Sequence, residues 1–282
     1  MRRRELFDLL RAAACECYDD VEARQIAEMI TLDKAHISRN ELLVEPNAEV
    51  CVDGLEDVIQ KLRSWTPVQY ILGYADFMEL RIEVNGSVLI PRPETEELLC
   101  WIAKSTPRGA RILDVGTGSG CIAIALSREV ADAKVYGLDI STEALAVARR
   151  NGQRYAPSVK FIEGDALGEF NRLFTHPFDV IVSNPPYIPT SDMALMRPNV
   201  VDYEPHSALF VSDDDPLCFY RAIARTARTM LSDVGVLYFE IYESLASEMV
   251  AMLSDEGYGD VVLREDFRGK PRMICARPIH TN

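Results

Sequence analysis

The sequence predicts an α/β protein. Its main body is a doubly wound, mostly parallel sheet of seven strands with an antiparallel last strand, preceded by a small helical domain and a β-hairpin linker. Three observations carry that expectation. From residue 110 onward, short strand-like runs alternate with helical patterns. Before residue 74, apolar residues recur only at helical spacing. Between these stretches the period shortens to two, beside an Asn-Gly turn signal.

The elements follow in chain order. Leu6, Leu9, Leu10 and Ala13 share one helical face, as do Ile26, Met29 and Ile30, and then Val58, Ile59 and Leu62. Residues 1–73 are therefore read as the helical domain. Residues 77–84 largely alternate, Asn85-Gly86 reads as the turn, and Val88-Leu89-Ile90 as the returning strand. Residues 74–92 form this linker, which Pro91-Arg92-Pro93 stops, and residues 93–282 form the third part. Helix restarts over 94–104. Strands are expected at 111–114, 133–138, 159–162, 179–182 and 236–241, with helices over 121–128, 142–150, 216–231 and 245–253. Runs at 261–263 and 273–276 have no helix between them, so they are expected to pair antiparallel.

Composition narrows the function classes. The chain has 282 residues, and its 30 basic against 44 acidic side chains leave a formal charge of −14. Such a surface repels phosphate, so no direct nucleic-acid binding is expected. Seven cysteines, an odd number without Cys-x-x-Cys, point to a reduced, cytoplasmic chain. His36, His176, His206 and His280 show no ligand spacing, so no metal is expected. No run of about 18 apolar residues suggests a membrane span.

The chemistry concentrates where strands end. Gly116-Thr117-Gly118-Ser119-Gly120 follows the first strand of the main body. Glycine admits left-handed backbone and lets amides approach a ligand. The spacing is not that of a dinucleotide fingerprint, and no phosphate-loop lysine follows. It suits a nucleoside cofactor without pyrophosphate, such as S-adenosylmethionine, with S-adenosylhomocysteine as product. Asp139 ends the second strand and can accept hydrogen bonds from both ribose hydroxyls, or cap the next helix. Asp165, before Ala166, ends the third; it can meet an adenine amino group or serve as a turn aspartate. Asn184-Pro185-Pro186-Tyr187 ends the fourth. Four candidates at the carboxyl ends of four successive strands coincide with the ligand-binding edge of an open α/β sheet.

The tetrapeptide suits a planar NH2 group. The nitrogen of an amide or exocyclic amine shares its lone pair with a π system and attacks poorly. The Asn184 side-chain oxygen and the Pro185 carbonyl can accept its two N–H bonds, fix it and favour its rehybridisation. The prolines stiffen the loop, and Tyr187 offers a flat wall. A rigid structural turn is the plainer reading of the same residues. Asp213-Asp214-Asp215-Pro216 reads as a solvated turn and helix start. Glu240, an acid at a strand end, is left open.

On these motifs the chain resembles the HemK/PrmC family, protein-glutamine methyltransferases that modify peptide-chain release factors. The likeness runs over nearly the whole length. It is carried by Gln69-Tyr70-Ile71-Leu72-Gly73, Pro91-Arg92-Pro93-Glu94-Thr95-Glu96, residues 114–120, residues 184–189, Tyr203-Glu204-Pro205 and residues 268–272. The resemblance implies a class I methyltransferase domain behind a helical domain that recognises substrate. It implies S-adenosylmethionine contacts from residues 116–120, Asp139, Asp165, Ala166 and Asn184, and a grip on the Gly-Gly-Gln glutamine of a release factor by residues 184–187, tuning translation termination. Alternatives with the same chemistry are a ribosomal-protein glutamine methyltransferase and a DNA amino-methyltransferase; a third is a catalytically silent module. Ala166 stands where some members carry an aromatic, and Tyr242 and Ser244 stand where glycine and glutamine are often found. These departures are expected to leave the glutamine grip untouched.

Overall fold

The computed structural model describes residues 1–279, so His280 lies outside the described residues. Among the described residues no group of three or more His, Cys, Asp or Glu side chains is arranged to hold a metal ion. No helix among them is long and apolar enough to cross a membrane.

Residues 1–74 and 197–203 form one compact unit. Its helices are α1 (Arg3–Ala14), α2 (Asp20–Lys34), α3 (Arg39–Val44), α4 (Leu55–Arg63) and α5 (Val68–Leu72). Asp19 starts α2 by accepting the N–H groups of Val21 and Glu22, both at 3.0 Å. Ser38 and Glu41 start α3 as a reciprocal capping box. Leu6, Leu10, Ile26, Ile30, Val58, Ile59 and Leu62 close one core. Leu9 and Met29, placed on those faces by spacing, are instead exposed at their flanks. The contact stripe is narrower than the periodic pattern suggests. Segment 197–203 joins this unit through Arg197, which donates to Glu22 at 2.6 Å, and through the Tyr203 hydroxyl, which donates to the Ser64 carbonyl.

The second unit holds the rest of the chain. Leading into it, β1 (Tyr74–Phe77) pairs with β2 (Leu80–Glu83). The hairpin turn is therefore Met78-Glu79, not Asn85-Gly86. Both turn residues are left-handed, with φ of 47° and 62°, as a tight two-residue turn demands. Neither residue type favours that backbone; the Glu96 carboxylate holds it by accepting the Met78 N–H at 2.8 Å. Asn85 still makes a turn, its side chain accepting the Ser87 N–H at 2.9 Å, but residues 88–90 run on without strand pairing.

After α6 (Pro93–Ser105), β3 (Arg111–Val115), α7 (Cys121–Glu129), β4 (Lys134–Asp139), α8 (Thr142–Tyr155), β5 (Lys160–Glu163) and β6 (Phe178–Ser183) follow in βα alternation. A short β7 (Ile188–Pro189), α9 (Pro198–Val201) of the first unit, α10 (His206–Leu209), β8 (Phe210–Val211) and α11 (Cys218–Arg228) lead to β9 (Leu231–Glu240). Then come α12 (Ala246–Asp255), β10 (Tyr258–Glu265) and β11 (Pro271–Pro278). The main sheet runs β10-β11-β9-β6-β3-β4-β5. The β9-β6-β3-β4-β5 pairs are parallel, and β11 is antiparallel to both β9 and β10. Ile112, Leu113, Val115, Ile181 and Val182 are buried, as strands covered on both faces require.

The order reverses between β3 and β6, which opens a crevice at their carboxyl ends. There the Ser183 hydroxyl donates to the Val115 carbonyl at 2.6 Å and locks the two strand ends together. Beside them the Phe161 ring of β5 fills space that glycines leave. A Cβ at Gly137 of β4 would come within 2.8 Å of the ring and 2.7 Å of the Thr117 hydroxyl. Gly120, left-handed at φ 81°, caps α7 against the same ring.

Candidate active site

A cavity of about 540 Å³ opens at the carboxyl ends of β3, β4, β5 and β6. It gathers Gly116, Thr117, Gly118, Ser119, Asp139, Asp165, Ala166, Asn184, Pro185 and Pro186. Two residues named from sequence lie off its lining. Gly120 is spent on the helix start against Phe161. Tyr187 packs behind the loop.

The carboxylates around the strand ends differ in burial. Asp114, fully buried, takes the Thr117 hydroxyl on Oδ2 at 2.5 Å and so shapes the glycine turn. Burial pushes its pKa up to about 7 against the pull of that bond. Asp139 accepts the Gly118 N–H on Oδ2 at 2.8 Å and the Ser141 N–H on Oδ1 at 2.9 Å. Burial raises its pKa too. The side chain also lines the cavity, where a carboxylate can accept further bonds. Its bond to Gly118 ties the acid at the end of β4 to the turn after β3. Ser141, as read from sequence, caps α8, its hydroxyl accepting the Ala144 N–H at 3.1 Å. Asp165 is exposed and accepts the Leu167 N–H at 2.8 Å as a turn aspartate, its second oxygen free. The Asn184 side-chain amide makes no hydrogen bond with any described residue, although it lines the cavity.

Sequence reasoning missed the opposite wall. Val88, Leu89, Pro91 and Arg92 after the hairpin, with Thr95 of α6, complete the cavity. Glu204, 3% exposed, fixes that wall. It accepts the Ile90 N–H at 3.0 Å and the Arg92 guanidinium at 2.5 Å. The signal was available in Pro91-Arg92-Pro93 and Tyr203-Glu204-Pro205, but their pairing was not. Cys121, at the first turn of α7, also lines the cavity, and burial pushes its thiol up to about 12.

Glu240, left open from sequence, is 1% exposed behind the Asn-Pro-Pro-Tyr loop. Its Oε2 accepts the Thr95 hydroxyl at 2.6 Å and its Oε1 the Tyr187 hydroxyl at 3.2 Å. Burial raises the pKa of this carboxyl and lifts the Tyr187 phenol far above its ordinary range. The expectation that residue 242 leaves the grip untouched is corrected. The Tyr242 ring stacks on Tyr187, 5.8 Å between centroids and 18° between planes.

Comparison with known proteins agrees with this geometry. The family model described as Methyltransferase small domain matches residues 94–197. A release factor glutamine methyltransferase of Flavobacterium psychrophilum is 39% identical over 93% of this chain and 94% of its own. One of Bacteroides thetaiotaomicron is 46% identical over 79% of this chain and 80% of its own. The chain belongs to the release factor glutamine methyltransferase family. The crystal structure of a methyltransferase from Pyrococcus furiosus is similar in fold alone. It is 19% identical, with a TM-score of 0.53, over 72% of this chain and 91% of that one.

Proposed function

We propose that this protein transfers a methyl group from S-adenosylmethionine to the side-chain amide nitrogen of the glutamine in the Gly-Gly-Gln motif of peptide-chain release factors. The observation that carries the reading is the unpartnered Asn184 amide, held by Pro185 and Pro186 at the rim of a nucleoside-sized cavity in a chain of this family.

The cavity's residues fit the cofactor. A Cβ at Gly116 or Gly118 would meet nothing within 4 Å, so both leave open space for a ligand. The Ser119 hydroxyl, buried and lining the cavity, has no partner among the described residues. It supplies an unused donor and acceptor. Asp139 offers its carboxylate to ribose hydroxyls, Asp165 its free oxygen to the adenine amine, and Ala166 a small apolar contact. The carboxylates of Asp139, Glu143 and Asp165 along the cavity suit a cationic ligand. Bound S-adenosylmethionine supplies a methyl group on positively charged sulfur.

The chain's own contribution is orientation. The Asn184 oxygen and the Pro185 carbonyl accept the two N–H bonds of the substrate amide, hold the nitrogen and favour its pyramidal form. The proline rings keep this pair from relaxing. No strong base is needed, since the methylated nitrogen sheds its proton readily. The helical unit, which has its own core, is assigned to recognising the release factor, because a free glutamine would need no second unit. Removing residues 1–73 is expected to spare cofactor binding and abolish methylation of the protein.

Methyl transfer from labelled S-adenosylmethionine to unmodified release factor tests the reading, with duplex DNA and ribosomal proteins as parallel acceptors. Label is expected on the Gly-Gly-Gln glutamine and is expected to fall by about 100-fold or more in Asn184→Ala. Label on DNA or a ribosomal protein instead would overturn the assigned substrate.

A further inference from the structure

We propose that Glu240 and Tyr242 are positioning residues for methyl transfer, clamping the Tyr187 ring by its hydroxyl and by its face so that the Asn184–Pro185 acceptor pair stays aimed at the substrate nitrogen. The inference rests on the function proposed above.

Tyr187 lies off the cavity lining, so it acts through the loop it terminates. Each proline fixes its own φ, and Pro186 holds Pro185 extended, but the ψ of Pro186 stays open. The aim of the stiff Asn184–Pro186 segment as a whole is therefore set by whatever anchors Tyr187. The structure shows two anchors. At the ring's edge, the hydroxyl donates to Glu240 Oε1 at 3.2 Å. Glu240 is itself immobilised. Its other oxygen takes the hydroxyl of Thr95, a cavity residue, at 2.6 Å, and its backbone carbonyl takes the Tyr220 hydroxyl at 3.0 Å. Arg272 braces the next residue, donating to the Ile241 carbonyl at 3.3 Å. At the ring's face, Tyr242 stacks at 5.8 Å. The Tyr242 hydroxyl donates to Asp192 Oδ2 at 2.7 Å, on the chain that continues from the loop. The stacked ring is thus pinned at its far end as well.

A buried carboxylate is a costly way to fill space. A packed apolar residue is often as stable or more so. Glu240 joins Thr95, in the cavity wall, to Tyr187, behind the loop. Tyr242 adds an aromatic face against the Tyr187 ring.

The test compares full-length wild type with Tyr187→Phe, Glu240→Gln, Tyr242→Ala, Tyr242→Phe and the Tyr187→Phe/Glu240→Gln pair. It measures kcat and KM for the release factor, calorimetric Kd for S-adenosylmethionine, and Tm. Tyr187→Phe and Tyr242→Ala are each expected to lower kcat about tenfold, the equivalent of one hydrogen bond, with cofactor Kd within about twofold. Tyr242→Phe keeps the stack and is expected to return most of the rate. The pair is expected to be no slower than its slower member, because both changes act on the one contact between Tyr187 and Glu240. Three results overturn the inference: unchanged kcat in Tyr187→Phe and Tyr242→Ala, multiplying losses in the pair, or rate losses that track equal losses of cofactor affinity and Tm. A wild type that binds cofactor yet leaves the release factor unlabelled overturns the functional reading, and this inference with it.

Discussion

Replacing Asp114 by asparagine should remove a defined part of this protein's pH dependence. In the folded chain the Asp114 carboxyl holds its proton up to about pH 7, because burial outweighs the Thr117 hydrogen bond; its ordinary value is 3.8. Between those values the folded state binds a proton that the unfolded chain has released. Stability therefore falls as pH rises through that window. At about 1.4 kcal/mol for each tenfold change in proton concentration, the loss amounts to at most about 4 kcal/mol, and it is complete above the folded value. Asparagine keeps an oxygen for the Thr117 hydroxyl but cannot ionise. Its NH2 group lowers stability at every pH by about 1–3 kcal/mol if buried without an acceptor, which shifts the level and not the slope. Other carboxyls titrate alike in both proteins, so the difference between them isolates Asp114. Urea denaturation from pH 4 to pH 8 reads it directly. The variant should be the weaker protein at acidic pH and should gain on wild type as pH rises to 8. Parallel curves would refute the reasoning, since they would mean that the burial of Asp114 carries no titration penalty.

Other outcomes follow from single contacts. Gly137→Ala drives a Cβ to 2.7 Å from the Thr117 hydroxyl and 2.8 Å from Phe161; a loss of about 1–3 kcal/mol in thermal unfolding is expected, with weaker cofactor binding by calorimetry. Gly118→Ala sits at φ 54° in open space, so strain of about 1–2 kcal/mol should combine with a lower cofactor affinity. Glu204→Gln leaves the Arg92 guanidinium without its anionic partner. It is expected to cost about 1–3 kcal/mol in urea unfolding and to raise KM for the release factor as that wall loosens. Tyr220→Phe removes a buried hydroxyl from the Glu240 carbonyl, with an expected loss of about 1 kcal/mol and little change in cofactor Kd.

Much of the catalytic fold is legible because it obeys local rules. The βα alternation, the glycine turn after β3 and the acids closing β4 and β5 all follow from periodicity and the strand-end rule. So does the place of Asn184 at the end of β6. What stays illegible is set by distant partners. Met78-Glu79 carries no turn signature, and its left-handed backbone depends on Glu96 in the following helix. Leu9 and Met29 fit a helical face that the packing stops short of. The return of residues 197–203 to the helical unit rests on Arg197 with Glu22 and Tyr203 with Ser64, pairs that no spacing announces. The stack of Tyr242 on Tyr187 joins residues from different strand ends, so a departure that seemed remote from the loop turns out to touch it.

The cavity that is proposed to hold a potent methylating agent also contains a sulfur nucleophile, Cys121. Its seat at a helix N-terminus would ordinarily favour the thiolate. Burial prevails and pushes the thiol up to about 12, so near neutral pH only about one molecule in 10⁵ carries the reactive anion. The thiolate, not the thiol, is the form that attacks an electrophile. The same apolar wall that shapes the pocket thus keeps this thiol in its protonated, unreactive form.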